Sequence, residues 1–554
     1  MKRNVRELSQ NTYDILVIGG GIYGACVAWD ACLRGLSVAL VEQSDFGSAT
    51  SANSLKIIHG GLRYLQHADF TRMRESIQER RTLMRIAPHL VHPLPVLIPT
   101  YGHGLEGKEI LRLALAINDL VSFDRNMGGD PQKHIPCGRS ISKGEMLRIA
   151  TGIHQEGLTG GVLFYDAQVY NSERLLLSFL RSSWDAGAQL ANYVQVTGFL
   201  KEKDTVIGVS AQDGLTGDRF DVRANVVINT CGPWINRMRS LLNETSVGQN
   251  IPFAKAMNIV TRPIFSDYAV GLASHRVYRD MDAVVQKGKR LLFVVPWRGC
   301  SMIGTAYSYC NGDPDGTKVS AQEISAFLDE INQAYPSAKL KLDDVSFVHS
   351  GLIPSTVTGK HAKDVQLAKH HQIIRHDNHG MRGVLSVVGV KYTTARQVAE
   401  EVVNHVFQIW GKPSPPSRSG ATPVYGGGIE RFGKFLEAET TKHSHDLSAK
   451  SIQHLVRNYG AAYSDVTAYV EDVQRTDREE PWVVLRAEIL HGVRSEMAKK
   501  LTDIVCRRTE IGSAANPGDE MIARCANVMR DELGWTESKT QQEIQEARAV
   551  YAWG

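Results

Sequence analysis

The 554-residue sequence contains no run of uncharged apolar residues approaching the about 18 that a membrane-spanning helix needs. Its first dozen residues hold no apolar core of the secretion-signal kind, so neither a span nor an export signal is expected. Paired cysteines are also missing. Cys26, Cys32, Cys137, Cys231, Cys300, Cys310, Cys506 and Cys525 lie far apart, which argues against a structural zinc or a disulfide framework and suits reduced thiols in the cytoplasm. Charge of one sign is scarce too. With 63 Lys and Arg against 59 Asp and Glu, and no basic run interleaved with aromatics, a nucleic-acid partner is not expected. No internal repeat is visible. What remains is an ordinary globular composition, 43% hydrophobic and 22% charged, long enough for two or three domains.

The stretch Tyr13-Asp-Ile-Leu-Val-Ile-Gly-Gly-Gly-Ile-Tyr-Gly24 carries the strongest signal. Ile15 to Ile18 form a short apolar run suited to a buried parallel strand. Gly19, Gly21 and Gly24 then supply a tight turn, close approach to a pyrophosphate, and room for a helix on the strand. A helix start beginning at Ile22 and Tyr23 offers N–H groups and the positive dipole end to phosphate. Glu42 closes the next apolar run, Leu36-Ser-Val-Ala-Leu-Val-Glu, where a carboxylate accepts both ribose hydroxyl protons and repels a phosphorylated ribose. The pattern predicts a dinucleotide site.

Three further segments read as parts of the same domain returning after long excursions. Thr50-Ser-Ala-Asn-Ser-Leu-Lys-Ile-Ile-His-Gly-Gly61 is a loop dense in hydroxyls and glycines. Val226-Val-Ile-Asn-Thr-Cys-Gly-Pro-Trp234 is a buried strand ending at Gly232. Gly383-Val-Leu-Ser-Val-Val-Gly-Val-Lys-Tyr-Thr-Thr-Ala-Arg396 is a strand, a turn at Gly389, and a helix from about Thr393 carrying Val398, Val402, Val403 and Val406. Alternating patterns near 92 to 165 and 245 to 350 predict an antiparallel sheet roofing the site. The proline-rich run Lys412 to Pro423 reads as a linker. Beyond it the pattern is helical, with Ile489, Val493, Met497, Leu501 and Ile504 spaced for one face of a long helix. The cation-rich segment Phe70 to Arg85 reads as a solvated surface helix rather than one lying on lipid.

These residues resemble the FAD-dependent glycerol-3-phosphate dehydrogenases and oxidases, within the D-amino-acid-oxidase-like flavoprotein fold. Besides Gly19 to Gly24, the resemblance rests on His59-Gly-Gly-Leu-Arg-Tyr-Leu65 with Ala87-Pro-His-Leu90, on Asn229-Thr-Cys-Gly-Pro-Trp234, and on Phe293-Val-Val-Pro-Trp297 with Ile303-Gly-Thr305. Lys391-Tyr-Thr-Thr-Ala-Arg396 and the tail motifs Leu485 to Ala498 and Arg507-Arg-Thr509 extend it nearly end to end. It implies an α/β chain: a Rossmann-like FAD-binding domain of 12–92, 160–245 and 350–411, and an inserted antiparallel-sheet substrate domain of 93–159 and 246–349. A linker, 412–428, and a C-terminal helical domain, 429–554, complete it.

The resemblance further implies noncovalent FAD, hydride transfer from a secondary carbinol carbon to flavin N5, and re-oxidation by a membrane quinone or oxygen. Such a protein acts on a small-molecule substrate in the cytoplasm or on the inner face of the membrane, and the reading admits a homo-oligomer. Cofactor contacts are expected at Gly19, Gly21, Ile22, Tyr23, Gly24, Glu42, Gln43, Thr50, Ser51, Ser54, Gly60 and Gly61. Val194, Gly232, Trp234, Gly389, Lys391, Tyr392, Thr393 and Thr394 complete that set. His59 is the natural base for the hydroxyl proton, because imidazole titrates near neutral pH, or else a structural histidine. Lys391 steadies negative charge on reduced flavin or substrate, and Arg63 clamps an anion through its planar fork. Substrate contacts are expected at Arg63, Tyr64, Ile353 and Lys391.

Departures gather at the substrate end. Gly351-Leu-Ile-Pro-Ser355 places Ile353 where the family has an arginine. A charge-assisted hydrogen bond is about 1.5–3 kcal/mol, so its loss weakens phosphate binding by roughly ten- to a hundredfold unless another cation substitutes. Ala256-Met-Asn258 stands for the family's Gly-Ser-His, Gly304-Thr-Ala-Tyr307 for Gly-Thr-Thr-Asp, Val390 for a glycine and Leu55 for a serine. The expected substrate is therefore glycerol 3-phosphate or a polyol relative of it. Two alternatives remain open at this point: an amine or amino-acid oxidase, for which Met257, Tyr307 and Ile353 offer an apolar pocket, and a flavin-binding protein without catalysis.

Overall fold

Strand Thr12–Ile18 lies inside an eight-stranded sheet, in a computed structural model that describes residues 1–553 apart from 104–106, 243–249, 278–288, 311–313, 316–317, 357–364, 443–446 and 475. Its neighbours, Val38–Val41 and Arg219–Asn229, run parallel to it, and Gln189–Ala191 and Val384–Val388 extend the parallel array on either side. Such strands are covered on both faces, which is why they read as unbroken apolar runs rather than alternating ones. Helices Ile22–Leu33, Ser172–Asp185 and Ala395–Ile409 cover one face, burying Ala25, Ala28, Trp29, Phe179, Val398 and Val402 against Ile15 and Val17. The carboxyl ends of four parallel strands therefore deliver Gly19, Glu42, Thr230 and Gly389 to one edge, the usual ligand side of an open α/β sheet.

A second sheet of nine strands stands over that edge. It runs Val345–Pro354, Phe253–Thr261, Cys300–Tyr309, Lys289–Trp297, Ala269–Val277, Val91–Tyr101, Leu158–Val169, Ile57–Ile58, with Arg139–Ser142 added on Leu158–Val169. Pairing is antiparallel throughout except between Val91–Tyr101 and Ala269–Val277. The expected roof is present. Its strands Leu158–Val169 and Val345–Pro354 contain residues 160 and 350 and belong wholly to this second sheet, so the chain leaves it only beyond Val169 and Pro354.

From Phe432–Thr441 to Glu537–Ala549 the chain is helical, with an apolar core of its own around Leu455, Ala487, Ile489, Leu501, Ile504, Ile522 and Met529. Two sequence expectations are corrected here. The long helix stops at Ser495. Met497 takes a left-handed φ of 57° and turns into the core of the first sheet, while Leu501–Asp503 restarts the helix with Asp503 accepting the Lys499 and Lys500 N–H groups at 2.8 and 2.9 Å. The helix Phe70–Ile86 is not a solvated surface element. Two of its charges are buried in pairs, Glu79 with Arg396 and Arg80 with Asp166, so a polar pattern conceals a helix with one face in the interior. The proline-rich run holds no helix or strand and lies along the body: Arg34 donates to Ser414 and to the Pro415 carbonyl, and the Val424 N–H donates to the Ile86 carbonyl.

Candidate active site

Two cavities meet between the sheets. The first, about 550 Å³, begins at the glycine turn and ends at residues 387–392. Gly19 has φ +107°, and a side chain there would press on the Thr230 carbonyl at 2.8 Å. A Cβ on Gly24 would lie 1.9 Å from the Gly19 carbonyl oxygen, so helix Ile22–Leu33 reaches its seat on the strand only because that atom is missing. Glu42 accepts the Gly20 N–H at 2.7 Å and the Ser44 N–H at 2.9 Å, which stiffens the turn around the place a ribose would occupy. Burial pushes its pKa above the ordinary carboxylate range, against those two N–H groups. Ser51 accepts the Ile22 N–H at 3.0 Å and so tethers its loop to the helix start.

The expected cofactor residues distribute plainly. Gly19, Gly21, Ile22, Tyr23, Glu42, Gln43, Thr50, Ser51 and Ser54 line the first cavity, as do Val194, Gly232, Trp234, Gly389, Lys391 and Tyr392. Others do not line it. Gly24 serves packing, while Thr393 and Thr394 are buried at the start of helix Ala395–Ile409. Gly60 and Gly61 are glycines for the sake of helix Phe70–Ile86: a Cβ on Gly60 would meet the Arg80 guanidinium at 2.2 Å, and one on Gly61 would meet the Met73 Cα at 3.0 Å. At the far end, the Tyr23 hydroxyl donates to the Lys391 carbonyl at 2.7 Å and accepts the Lys391 N–H at 3.1 Å. A Cβ on Gly389 would fall 2.2 Å from the Tyr23 ring. Burial raises the Tyr23 pKa to about 12, so its hydroxyl keeps its proton.

The second cavity, about 490 Å³, shares Leu55, Thr305, Tyr307, Ile353, Pro354, Val390 and Lys391 with the first. His59 lines it, with Nδ1 3.1 Å from Asp166 Oδ2. Asp166 comes from the middle of the roof strand Leu158–Val169 and also accepts the Gly60 N–H at 2.6 Å and Arg80 Nη1 at 3.4 Å. Burial pushes this carboxylate up, but His59, Arg80 and the Gly60 N–H outweigh it, and the net pKa lies below the ordinary range. Asp166 therefore stays charged and fixes the imidazole so that Nε2 is the nitrogen left for other chemistry. Nothing in the sequence near 166 announces it.

One wall of this chamber is cationic. Lys391 Nζ lies 4.3 Å from the centre of the Tyr64 ring, whose other neighbour is the Arg72 guanidinium at 4.9 Å. Lys369 Nζ and His67 Nε2 line the same wall 3.2 Å apart. Arg290 lines another wall and is paired with Glu330 at 2.8 Å. Arg63 sits on the turn Leu62–His67 between Gly61 and Tyr64, and its side chain lies outside the described residues. Ile353 is placed where the two cavities join. Asn258 lines the first cavity, donating to the Asn53 carbonyl and accepting from Thr305 at 2.8 Å.

The shape fits a dinucleotide carrying a redox ring: a tunnel with a glycine turn and a ribose carboxylate at one end, opening at the other beside a histidine–carboxylate pair and a cationic wall. The fit rests on the Gly19 and Gly24 approaches and on the continuity of the two cavities.

Comparison with known proteins agrees. Residues 14–397 match the FAD dependent oxidoreductase family, and residues 418–540 match the C-terminal domain of alpha-glycerophosphate oxidase. A glycerol-3-phosphate dehydrogenase of Synechocystis is 35% identical over 98% of this chain and 97% of its own. Glycerol-3-phosphate dehydrogenase 2 of Mycobacterium tuberculosis is 30% identical over 97% of this chain and 88% of its own. In fold, the chain is similar to the glycerol-3-phosphate dehydrogenase of Bacillus halodurans solved with FAD, with TM-score 0.77, 24% identity, and coverage of 98% and 95%.

Proposed function

This chain belongs to the FAD-dependent glycerol-3-phosphate dehydrogenases, and on that premise we propose that it oxidises the secondary alcohol of glycerol 3-phosphate, or of a close phosphorylated polyol, in the second cavity. The observation that carries the reading is the His59–Asp166 pair facing a cationic wall where the two cavities join. FAD, when bound, supplies a two-electron acceptor at that junction. The chain's own groups do the rest. His59 Nε2 takes the hydroxyl proton as the carbinol hydride leaves, and Asp166 steadies the imidazolium across a 3.1 Å contact. Lys391 and Arg72 against the Tyr64 ring, with Lys369 beside His67, draw the phosphate, standing in for the fork lost at Ile353. Arg63 belongs to the same proposal through its place on the Leu62–His67 turn.

Among the described residues Asp166 is the one carboxylate lining the chamber, and it is already engaged, so a cationic amine finds no counter-charge there. Steady-state oxidation with an artificial acceptor tests the reading. Glycerol 3-phosphate should be turned over and glycerol should be at least tenfold poorer in kcat/KM; equal rates for the two, or preference for an amine, refute it.

We assign the electron acceptor and the location within the same proposal: a quinone in the membrane, reached from the outer face of helix Lys108–Val121. Ile110, Leu111, Ala114 and Leu115 of this helix line the chamber. Leu113, Leu120 and the following Phe123 are exposed at 59%, 75% and 77%, and Phe123 lies beneath the Arg74 guanidinium, itself paired with Asp124 at 2.7 Å, so the face offered to a lipid surface is chiefly apolar. Among the described residues no helix is long and apolar enough to cross a membrane. Flotation with anionic vesicles should carry the protein, and Leu120→Asp with Phe123→Asp should abolish it; flotation unchanged by that pair removes the assignment.

A further inference from the structure

We propose that Arg507 and Arg508, in the C-terminal helical body, are positioning residues for the adenosine end of the first cavity and thereby set how tightly the chain retains FAD. The inference rests on the FAD reading of that cavity but not on any substrate.

Neither arginine lines the cavity. Both act through Asp45, three residues beyond the ribose carboxylate. Arg508 grips Asp45 with both terminal nitrogens at 2.7 Å, and Arg507 Nε donates to the same carboxylate at 2.5 Å. Asn192 Nδ2 adds a fourth contact at 3.1 Å. Asp45 is 1% exposed and the Arg508 side chain is fully enclosed. A second acid, Asp503, accepts Arg507 Nη2 at 2.8 Å and the Tyr193 hydroxyl at 2.6 Å. Two carboxylates thus face two guanidinium groups, and no net charge is left inside.

The loop held this way is the cavity's own rim. The Tyr193 N–H donates to the Ser44 carbonyl at 3.0 Å and the Val194 N–H donates to the Glu42 carbonyl at 2.7 Å. Glu42, Gln43, Ser44 and Val194 all line the cavity, so the two rim segments are tied to each other in front and to residues 503–508 behind. The arginines are themselves fixed, since Arg508 also donates to the Glu496 carbonyl at 3.0 Å and Glu496 is gripped at 2.7 Å by Arg174 from helix Ser172–Asp185. A binding-competent rim that is only fractionally populated raises the apparent dissociation constant by that fraction.

The test is FAD titration of deflavinated full-length protein, followed by flavin fluorescence, with apoprotein unfolding measured in parallel. Arg507→Met should raise the FAD dissociation constant by about tenfold, Arg507→Lys should recover part of the loss, and Asp45→Asn in the Arg507→Met background should add less than it does alone. Tyr193→Phe, which deletes one hydroxyl and leaves all charges in place, should shift FAD affinity in the same direction and covers the case in which an arginine variant fails to fold. FAD affinity within twofold of the parent for Arg507→Met and Tyr193→Phe, with only the apoprotein melting temperature lowered, would overturn the proposal and leave the arginines as a join between two bodies.

Discussion

Replacing Asp166 by asparagine separates the roles of the His59–Asp166 pair. The carboxylate holds three N–H donors, from Gly60 at 2.6 Å, His59 at 3.1 Å and Arg80 at 3.4 Å. An amide still accepts from Gly60, but its NH2 then faces His59 Nδ1 and forces that nitrogen to accept, which moves the imidazole proton to Nε2 and leaves no base toward the chamber. A hydrogen bond to a charged group is about 1.5–3 kcal/mol and a neutral one about 0.5–1.5, so the developing imidazolium loses about 1–2 kcal/mol. The misplaced proton adds a comparable amount. At about 1.4 kcal/mol per decade, kcat should fall roughly thirty- to seven-hundredfold. Arg80 would also lose its buried counter-charge, a destabilisation of about 3 kcal/mol. The double variant Asp166→Asn with Arg80→Met removes that charge, and should regain melting temperature without regaining kcat. Single-turnover reduction of bound flavin by glycerol 3-phosphate reads the chemistry directly. A loss under threefold in Asp166→Asn with intact flavin absorbance would refute the reasoning.

Three further outcomes follow from the geometry. Gly24→Ala should yield protein without flavin, since its Cβ would stand 1.9 Å from the Gly19 carbonyl oxygen; a normal flavin content would contradict the packing described. Ile353→Arg should lower KM for glycerol 3-phosphate by about tenfold and leave glycerol unaffected, the gain of one charge-assisted bond; no change would show that the cationic wall already saturates the phosphate. His454 is pushed down by burial but pulled further up by Glu488 at 3.1 Å and Glu510 at 3.8 Å, against Arg298, and its pKa is raised to about 9. A raised folded-state value gives stability that is whole below the ordinary 6.5 and lost as pH rises through about 9. The parent should therefore lose about 3 kcal/mol more than His454→Gln between pH 6.5 and 9.5 in urea unfolding, and parallel losses would count against the buried charge.

Much of the cofactor end was legible because its constraints are local. Glycine at 24 answers to the Gly19 carbonyl five residues back, Gly19 to a left-handed turn as well as to distant Thr230, and the strand-to-carboxylate spacing that ends at Glu42 is a single β–α–β unit. The substrate end was less so. Asp166 shares no motif with His59, lies 107 residues away, and reaches it only because the short strand Ile57–Ile58 pairs with Ala167 and Gln168 of Leu158–Val169. Helix Phe70–Ile86 misled the reading because hydropathy treats Glu79 and Arg80 as solvent-seeking, whereas distant Arg396 and Asp166 neutralise them inside. Met497 misled it differently: it keeps the helical spacing of Ile489 and Val493 yet belongs to another core, and spacing alone does not reveal which core an apolar residue serves.

The reciprocal bond between Tyr23 and Lys391 spans 368 residues. A ribosome must therefore make nearly three-quarters of the polypeptide before the first turn of the glycine motif acquires the partner that closes its far side. Flavin capture becomes a late event in biosynthesis, and shortened products ending before Lys391 should emerge colourless however faithfully their opening strand has formed.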